Sequence, residues 1–346
     1  MFVAWRDLRF AKGRFALMGS VVVLITLLVG LLSGLTAGLA EENTSAVTGL
    51  PADHLAFAAP AAGQPVSFTG ARVPERALET WAGTPGVDSA EPIGVRTLNA
   101  AAGNRTAAVS SFGVRPGSGL APPGVAPGRA VLSEKAAAAL GVTSGDRIRL
   151  GGTEQTVAAV TGRASYSHTP VVWTDLSGTA TVIALRTHGA DLGAADRAAG
   201  TKTFTRGDAL TAIGSYQAEN GSLQLMRGFL FVISALVTGA FFTVWTIQRS
   251  PDIAVLKALG ASTPYLLRDA LGQAVVMLTT GTLLGAGLAA AAGALVRGGG
   301  DVPFALDAPT VLGPAAVTIA LGALGAGLSV RRITAVDPLT ALASAR

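Results

Sequence analysis

Four long apolar runs divide the sequence, and each is long enough to cross a lipid bilayer. The runs are Phe15–Leu39, Phe229–Ile247, Ala270–Val296 and Val311–Val330, each of 19 or more residues with charges only at its ends. A hydrocarbon core of about 30 Å needs about 20 apolar residues in helical conformation. The pattern therefore predicts four transmembrane helices.

Between the first and second runs the pattern changes to short alternating segments. Helices are predicted over Pro74–Gly83 and after Ser133, with Gly141 as the stop, and over Asp208–Leu225 leading into the second run. Strands are predicted within Val87–Leu98 and in the segments SGDRIRLGG, TVAAVTG, PVVW and TATVIALRT. The segment Ser110–Ala130 is rich in Pro and Gly and is predicted to be a loop. The fold class is therefore membrane α-helical with four transmembrane helices and an α/β extracytoplasmic domain, built as two small lobes, between helices one and two.

The distribution of Lys and Arg predicts the orientation. With a cytoplasmic N-terminus, the inner segments carry ten basic residues, and the short outer loop between helices three and four carries only Arg297. This asymmetry follows the positive-inside rule. The ten inner residues are Arg6, Arg9, Lys12, Arg14, Arg249, Lys257, Arg268, Arg331, Arg332 and Arg346. Both termini are therefore expected in the cytoplasm of a cell-membrane protein.

These observations set the expected boundaries. A cytoplasmic amphipathic helix covers 1–14, the transmembrane helices cover 15–39, 223–247, 269–296 and 310–330, and the extracytoplasmic domain covers 40–222. A cytoplasmic loop covers 248–268, an outer loop 297–309 and a cytoplasmic tail 331–346. A cleaved signal peptide is the alternative for the first run, but its apolar part exceeds the about 7–15 residues typical of one.

Composition narrows the function. Charged residues make up 14% of the chain, against about 25% in soluble domains. The net charge of +5 comes with basic residues that flank membrane spans, so contact with anionic lipid explains it better than nucleic acid does. The absence of cysteine excludes disulfides and thiolate sites. No G-x-S-x-G or H-E-x-x-H motif and no intramembrane acid or base points to catalysis or a proton relay.

Two groups of residues stand out within and between the spans. Gly30, Gly34 and Gly38 form a double G-x-x-x-G pattern, which lets helices approach closely in lipid. Between spans two and three, the segment TIQRSPDIAVLKALGAS predicts a short helix with Ser250 as N-cap, Pro251 in its first turn and Gly260 as its stop. A helix of this length is marginal alone, so it must pack against another surface at the cytoplasmic side.

The segment RSPDIAVLKALGAS resembles the cytoplasmic loop of FtsX/MacB-type permeases, the mechanotransmission (type VII) class of ABC transporters. The ending RRITAVDPLTALASAR, and the order of one span, a large outer domain and three spans, are similar to the same family. The resemblance implies that the short helix docks on an ATPase subunit. The implied coupling residues are Asp252, Ile253, Leu256, Lys257, Leu259 and Gly260.

The sequence has no P-loop. Of its four lysines, only Lys202 precedes Ser or Thr, and Thr201 stands where the motif needs Gly. The chain is therefore not expected to be an enzyme or to hold an intrinsic cofactor. The resemblance implies two copies of a separate ATPase that bind ATP, and a permease homodimer in membrane lipid, without nucleic acid.

Within the family, the start RDLRFAKGRFALM and the four spans most resemble heme-exporting HrtB-type permeases, so heme is the expected ligand. Heme iron needs an axial O, N or S donor and its macrocycle needs an apolar slot. The candidates at the outer boundary are Glu41, Glu42, Tyr216, Glu219 and Met226. No other metal site is expected.

Simpler interpretations of these residues stay open. The two glutamates fit a water boundary, Tyr216 an interfacial anchor and Met226 a packing residue. His54, His168 and His188 are weaker ligand candidates, because a lone histidine in such a position is more often a surface residue. Other family members imply alternatives to heme: export of lipoproteins, drugs or peptides, or activation of an extracytoplasmic partner without transport.

Overall fold

The computed structural model describes residues 12–61, 63–248, 255, 259–298, 302–305 and 307–334. The chain divides into a helical unit, Met1–Gly38 with Ser222–Arg346, and a sheet unit, Leu39–Gly221. The predicted N-terminal amphipathic helix and most of the C-terminal tail lie outside the described residues.

Seven α-helices and ten strands are present among the described residues. The helices are α1 Lys12–Thr48, α2 Glu75–Ala82, α3 Glu134–Leu140, α4 Leu192–Ala199, α5 Gly214–Gln248, α6 Thr263–Gly298 and α7 Ala308–Thr334, with a 3₁₀ helix at Asp208–Ala212. The strands are β1 His54–Ala58, β2 Val87–Ala102, β3 Arg105–Val114, β4 Arg129–Leu132, β5 Arg147–Leu150, β6 Thr153–Val160, β7 Ser165–Tyr166, β8 Thr169–Asp175, β9 Val182–Thr187 and β10 Thr201–Thr205.

The strands form one sheet with the order β10-β1-β9-β2-β3-β8-β4-β6-β5, and β7 pairs with the start of β8. A further pairing of β2 with β5, Ala100 opposite Leu150, closes six of these strands into a ring. The 16-residue strand β2 belongs both to the ring and to the open arm β10-β1-β9. The two predicted lobes therefore share a strand.

Each part of the sheet has its own apolar cluster. Side chains from all six ring strands and from α3, Leu140 and Ile148 among them, form one cluster. Trp81 of α2 packs with Ile183 and Leu185 of β9 in a second. The third and largest contains Phe57 and Phe112.

The predicted ends of α2 and α3 in the sheet unit are confirmed. The Ser133 hydroxyl accepts a hydrogen bond from Ala136 N, and Gly141 ends α3 with φ +67°. Helix α2 runs between Pro74 and Gly83. These ends form as predicted because capping depends on a few neighbouring residues.

Two predictions were wrong. The segment Ser110–Val114 belongs to β3 rather than to a loop, because the Ser110 and Ser111 hydroxyls are buried against Thr169 Oγ1 (2.6 Å) and Thr174 Oγ1 (3.2 Å). The predicted continuous helix over Asp208–Leu225 is broken at Ile213, which has extended backbone between the 3₁₀ helix and α5.

Within the described part of the chain, three helices are long and apolar enough to cross a membrane. Their apolar parts are Gly19–Thr48, Gly214–Phe241 and Pro264–Val296. Helix α7 contains a shorter apolar segment, Thr310–Gly325. The structure thus contains membrane-spanning helices on both sides of an α/β domain, and the number four stays a prediction.

The three glycines of the double G-x-x-x-G pattern lie at close contacts within the helical unit. A methyl group at Gly30 would lie 2.8 Å from Ala289 Cβ of α6. Methyl groups at Gly34 and Gly38 would overlap Phe304 and Pro303 respectively. Ala305 N also donates to Gly34 O (3.0 Å), so the segment 302–305 packs directly on the backbone of α1.

Candidate functional site

Four of the five residues proposed as heme ligands lie in the sheet unit, at the end of α1 and in the first turns of α5. Glu41 is exposed, whereas Glu42 is half-buried and pairs with Lys135 of α3. Tyr216 packs against the largest apolar cluster. Met226 lies in the helical unit with 46% of its surface exposed. Within the sheet unit, Glu42 and Tyr216 therefore contact different neighbours.

Glu219 has a partner that the sequence interpretation ranked low. Its Oε1 and Oε2 lie 2.9 and 3.0 Å from His168 Nε2. The Asn43 side-chain amide lies 3.3 Å from Glu219 Oε2 and 3.2 Å from His168 Nε2. These three residues, called here the Asn43–His168–Glu219 cluster, come from α1, the β7–β8 turn and α5.

The turn that presents His168 has an unusual backbone for its sequence. Ser167 (φ +49°) and His168 (φ +61°) link the paired residues Tyr166 and Thr169, and they are the only non-glycine residues with positive φ among those described. Two left-handed residues define a type I′ hairpin turn, in which Asn-Gly or Gly-Gly is favoured. Left-handed backbone costs a non-glycine residue about 1–2 kcal/mol. Contacts made by the side chains of Ser167 and His168, rather than the backbone preference of the turn, therefore explain why these two residues stand here.

Both side chains of the turn are engaged. Ser167 N donates to Asn43 O (3.0 Å), and the Ser167 and Ser215 hydroxyls lie 3.0 Å apart. Ser215 Oγ donates in turn to Asn43 Oδ1 (2.7 Å), and Asn43 is 1% exposed. The turn is thereby fixed to both helix ends by hydrogen bonds, which are worth more when they are shielded from water.

Tyr166, just before the turn, contributes an aromatic wall. Its ring lies edge-on to Phe68 and Phe112, with ring centroids 5.6 and 5.4 Å away. Burial raises the pKa of the Tyr166 phenol far above its ordinary value. The phenol is consequently neutral at any physiological pH.

The other histidines form simpler contacts. His188 Nδ1 lies 2.6 Å from Asp88 Oδ1 on the surface, and His54 Nδ1 lies 3.2 Å from Thr187 Oγ1. Within the described ranges, no three side chains of His, Cys, Asp or Glu gather as metal ligands. The sequence contained one signal for His168: the residues SYSHTP place a Ser-His pair between two short apolar runs, where a two-residue turn fits.

The proposed coupling segment is described only in part. Leu259 N donates to Val255 O (3.0 Å), Leu259 is 80% exposed, and Gly260 has φ +93°. A positive φ at this glycine is the conformation that ends a helix. Asp252, Ile253, Leu256 and Lys257 lie outside the described residues.

The C-terminal third of the chain matches a known family. The model of the FtsX-like permease C-terminal domain covers residues 225–338. The chain contains an FtsX-like permease domain. The resemblance carried by the cytoplasmic loop and the C-terminal ending is confirmed.

Relatives of this permease include proteins named for hemin transport. It is 39% identical over 130 residues to the hemin transport system permease HrtB of Staphylococcus haemolyticus, covering 38% of this chain and 36% of that protein. It is 28% identical over 208 residues to the HrtB of Staphylococcus epidermidis strain ATCC 12228, covering 57% and 58%. The matched parts thus span between about a third and three-fifths of these curated relatives.

Among solved structures, the periplasmic region of MacB from Actinobacillus actinomycetemcomitans is similar to part of the permease. The match has 11% identity and a TM-score of 0.34, and it covers 49% of this chain and 95% of that one.

Proposed function

We propose that this permease is the membrane subunit of an ABC efflux transporter that expels a hydrophobic ligand, with heme as the first candidate. The observation that carries the proposal is the 39% identity over 130 residues to a hemin transport permease. The domain Leu39–Gly221 would lie outside the cytoplasmic membrane and both termini inside, as the basic residues of the sequence favour.

Energy would come from a separate ATPase, because the sequence has no P-loop of its own. Two ATPase subunits would dock on the segment that ends at Gly260. The exposed Leu259 in this segment offers an apolar contact. Movement of the docked helix would then tilt the spans on either side of it.

A second copy of the chain would complete the transporter. Helix α5 carries a row of large apolar side chains outward, including Leu225, Phe229 and Leu236, which are 63, 59 and 67% exposed. Glycines at 228 and 239 on the same helix have open space around them. Small residues beside large ones suit helix–helix packing in lipid, and a second α5 is the partner that a homodimer supplies.

If heme is the cargo, the contacts in the structure change the order in which the candidate ligands should be tested. Glu42 is held by Lys135 and Glu219 by His168, so each would have to exchange a partner for iron. Tyr216 and Met226 carry no such ion pair, and both a phenolate and a thioether are known axial ligands. Tyr216→Phe and Met226→Ala are therefore the most informative variants, followed by Glu219→Gln and the Glu41→Gln/Glu42→Gln pair.

Visible absorption during a heme titration of the detergent-purified protein tests the cargo. A saturable, shifted Soret band that one of these variants removes would support heme and identify a ligand. His188→Ala, which removes an exposed histidine paired with Asp88, is the control and should bind as wild type does. A broad band that never saturates, equal in all variants, would exclude heme as a specific ligand.

Coupling is tested with the ATPase co-reconstituted in proteoliposomes. Leu256→Asp with Lys257→Asp should abolish stimulation of ATP hydrolysis, because an aspartate pair removes both the apolar contact and the positive charge. Lys202→Asp in the sheet unit reverses the charge of one lysine elsewhere and should leave stimulation intact. Equal rates in both variants would contradict coupling through this segment.

An ATPase that binds and couples, together with a wall-associated partner and no membrane ligand, would favour the cell-division type of activator instead.

A further inference from the structure

The Asn43–His168–Glu219 cluster has the geometry of a metal-binding triangle. His168 Nε2, Glu219 Oε2 and the Asn43 amide group lie 3.0, 3.3 and 3.2 Å from one another. Ligand atoms at the corners of a tetrahedron with bonds of about 2.0 Å are separated by about 3.3 Å. The three polar atoms are thus spaced as neighbours in the coordination shell of one small cation.

Hydrogen bonding alone leaves this triangle unsatisfied. If His168 Nε2 carries a proton, this N–H group donates to Glu219. It then lies beside the Asn43 NH₂ group, which is also a donor. If Nε2 is unprotonated, it accepts from Asn43 but turns its lone pair toward the Glu219 carboxylate, 2.9 Å away. In either tautomer one edge joins two groups of the same kind, and Asn43 is too buried for water to relieve it.

A cation removes the conflict. Rotation of the Asn43 carboxamide by half a turn brings Oδ1 to the triangle and lets Nδ2 donate to Ser215 Oγ, which now lies 2.7 Å from Oδ1. The triangle then presents an imidazole nitrogen, a carboxylate oxygen and an amide oxygen, each of which has a lone pair that can bind a cation. We propose that Asn43, His168 and Glu219 bind one divalent transition-metal ion, such as Zn²⁺.

The surroundings fit an exchangeable ion rather than a permanent one. The side chains of His168 and Glu219 are 32 and 41% exposed, so an ion can enter from solvent and keep water as its remaining ligand. A mixed nitrogen and oxygen donor set suits Zn²⁺, Ni²⁺ or Cu²⁺ and excludes a preference for Ca²⁺. It would fix the strained β7–β8 turn to α1 and α5, both of which continue into apolar helices. The inference does not depend on the proposed transport of heme.

The test is a titration of the full-length protein, with affinity tags removed and metal stripped by chelator, with Zn²⁺ alone. Isothermal titration calorimetry should show one Zn²⁺ per chain, and thermal unfolding should shift upward with Zn²⁺ concentration. His168→Ala and Glu219→Gln should each weaken binding at least tenfold. His188→Ala is the matched control, because among the described residues its pair with Asp88 has no third His, Cys, Asp or Glu beside it, and it should bind as wild type does.

A gain-of-affinity variant keeps the proposal testable if the first two variants fold poorly. Asn43→Asp adds a second carboxylate to the triangle and should tighten Zn²⁺ binding about tenfold. Co²⁺ in place of Zn²⁺ should give visible d–d absorption that Asn43→Asp changes and His188→Ala does not. No stoichiometric binding in wild type, or binding that survives both His168→Ala and Glu219→Gln, would show that the cluster is a hydrogen-bonded ion pair only.

Discussion

The sheet unit and the helical unit differ in which large side chains they expose. In the sheet unit, Trp81, Phe57 and Phe112 are fully buried. In the helical unit, Leu236 and Leu284 are 67 and 63% exposed, while Thr282 and Gln273 are 0 and 2% exposed. Among the described residues, the exposed large apolar side chains lie in the helical unit, which nevertheless buries others such as Leu278 at 0%.

The difference follows from the solvent around each unit. In water, burying apolar surface contributes about 25 cal/mol per Å², so the largest side chains go inside. In lipid that gain is absent, because the acyl chains are as apolar as leucine, and helices associate through close packing of small residues and polar contacts. The same residue type is therefore expected to have a different energetic role in each unit, and three substitutions, each with a control variant, examine this.

The largest effect is expected at Trp81. Trp81→Ala should destabilise the sheet unit by about 3–5 kcal/mol, because it opens a cavity in the cluster with Leu185 and removes the hydrogen bond from Nε1 to Thr201 Oγ1 (3.0 Å). Hydrogen–deuterium exchange of peptides from β1 and β9, in the detergent-solubilised full chain, measures the loss. Leu236→Ala truncates an outward-facing side chain and should change exchange by no more than about 0.5 kcal/mol. A comparable loss in both variants would mean that the contrast between the units is wrong.

The next effect is expected at Gly285 in α6. A methyl group there would lie 2.6 Å from Val23 O and 2.7 Å from Thr26 Cβ of α1. Gly285→Leu should therefore force the helices apart and destabilise the helical unit by about 1–3 kcal/mol, although it adds an apolar side chain. Thermal unfolding in detergent micelles should show a lower melting temperature.

Gly287, two residues along the same helix, is the control for Gly285. It has open space around its Cβ position, and Gly287→Leu gains helix propensity of about 0.8 kcal/mol. It should leave the melting temperature unchanged or raise it. Equal melting temperatures for the two variants would mean that close contact between α1 and α6 contributes nothing to stability.

The sequence predicted the elements that depend on neighbouring residues. Ser133 and Gly141 bound α3 as expected, because a cap and a left-handed stop need only three or four residues to form. The apolar runs predicted membrane helices because the bilayer thickness sets their length. Close approach of α1 to neighbouring segments also followed from the spacing of small residues at Gly30, Gly34 and Gly38.

Contacts between distant residues could not be predicted in the same way. Ser110 was assigned to a loop because the segment that it begins is rich in Pro and Gly, and only its pairing with Thr169 makes it fit a buried strand. The candidate cluster joins Asn43 to His168 and Glu219, residues 125 and 176 positions away, through sheet topology that no local pattern encodes. The sequence therefore identified Glu219 as a candidate but not its partners.

The smallest effect is expected at the Tyr166 phenol, whose ionisation measures how well the interior of the sheet unit excludes water. Burial raises the pKa of Tyr166, so above pH 10 the unfolded chain loses this proton while the folded chain keeps it. The unfolded state then binds fewer protons than the folded state, and stability falls as pH rises above the unfolded pKa of about 10. By pH 11 the loss reaches about 1.4 kcal/mol for this group.

Tyr166→Phe should therefore lose less stability than wild type between pH 8 and 11, measured by urea denaturation at each pH. Tyr265→Phe, which removes a phenol 49% exposed in the helical unit, should follow the wild-type curve. If Tyr166→Phe also follows that curve, water reaches the phenol and the interior around Phe68 and Phe112 is not closed to solvent.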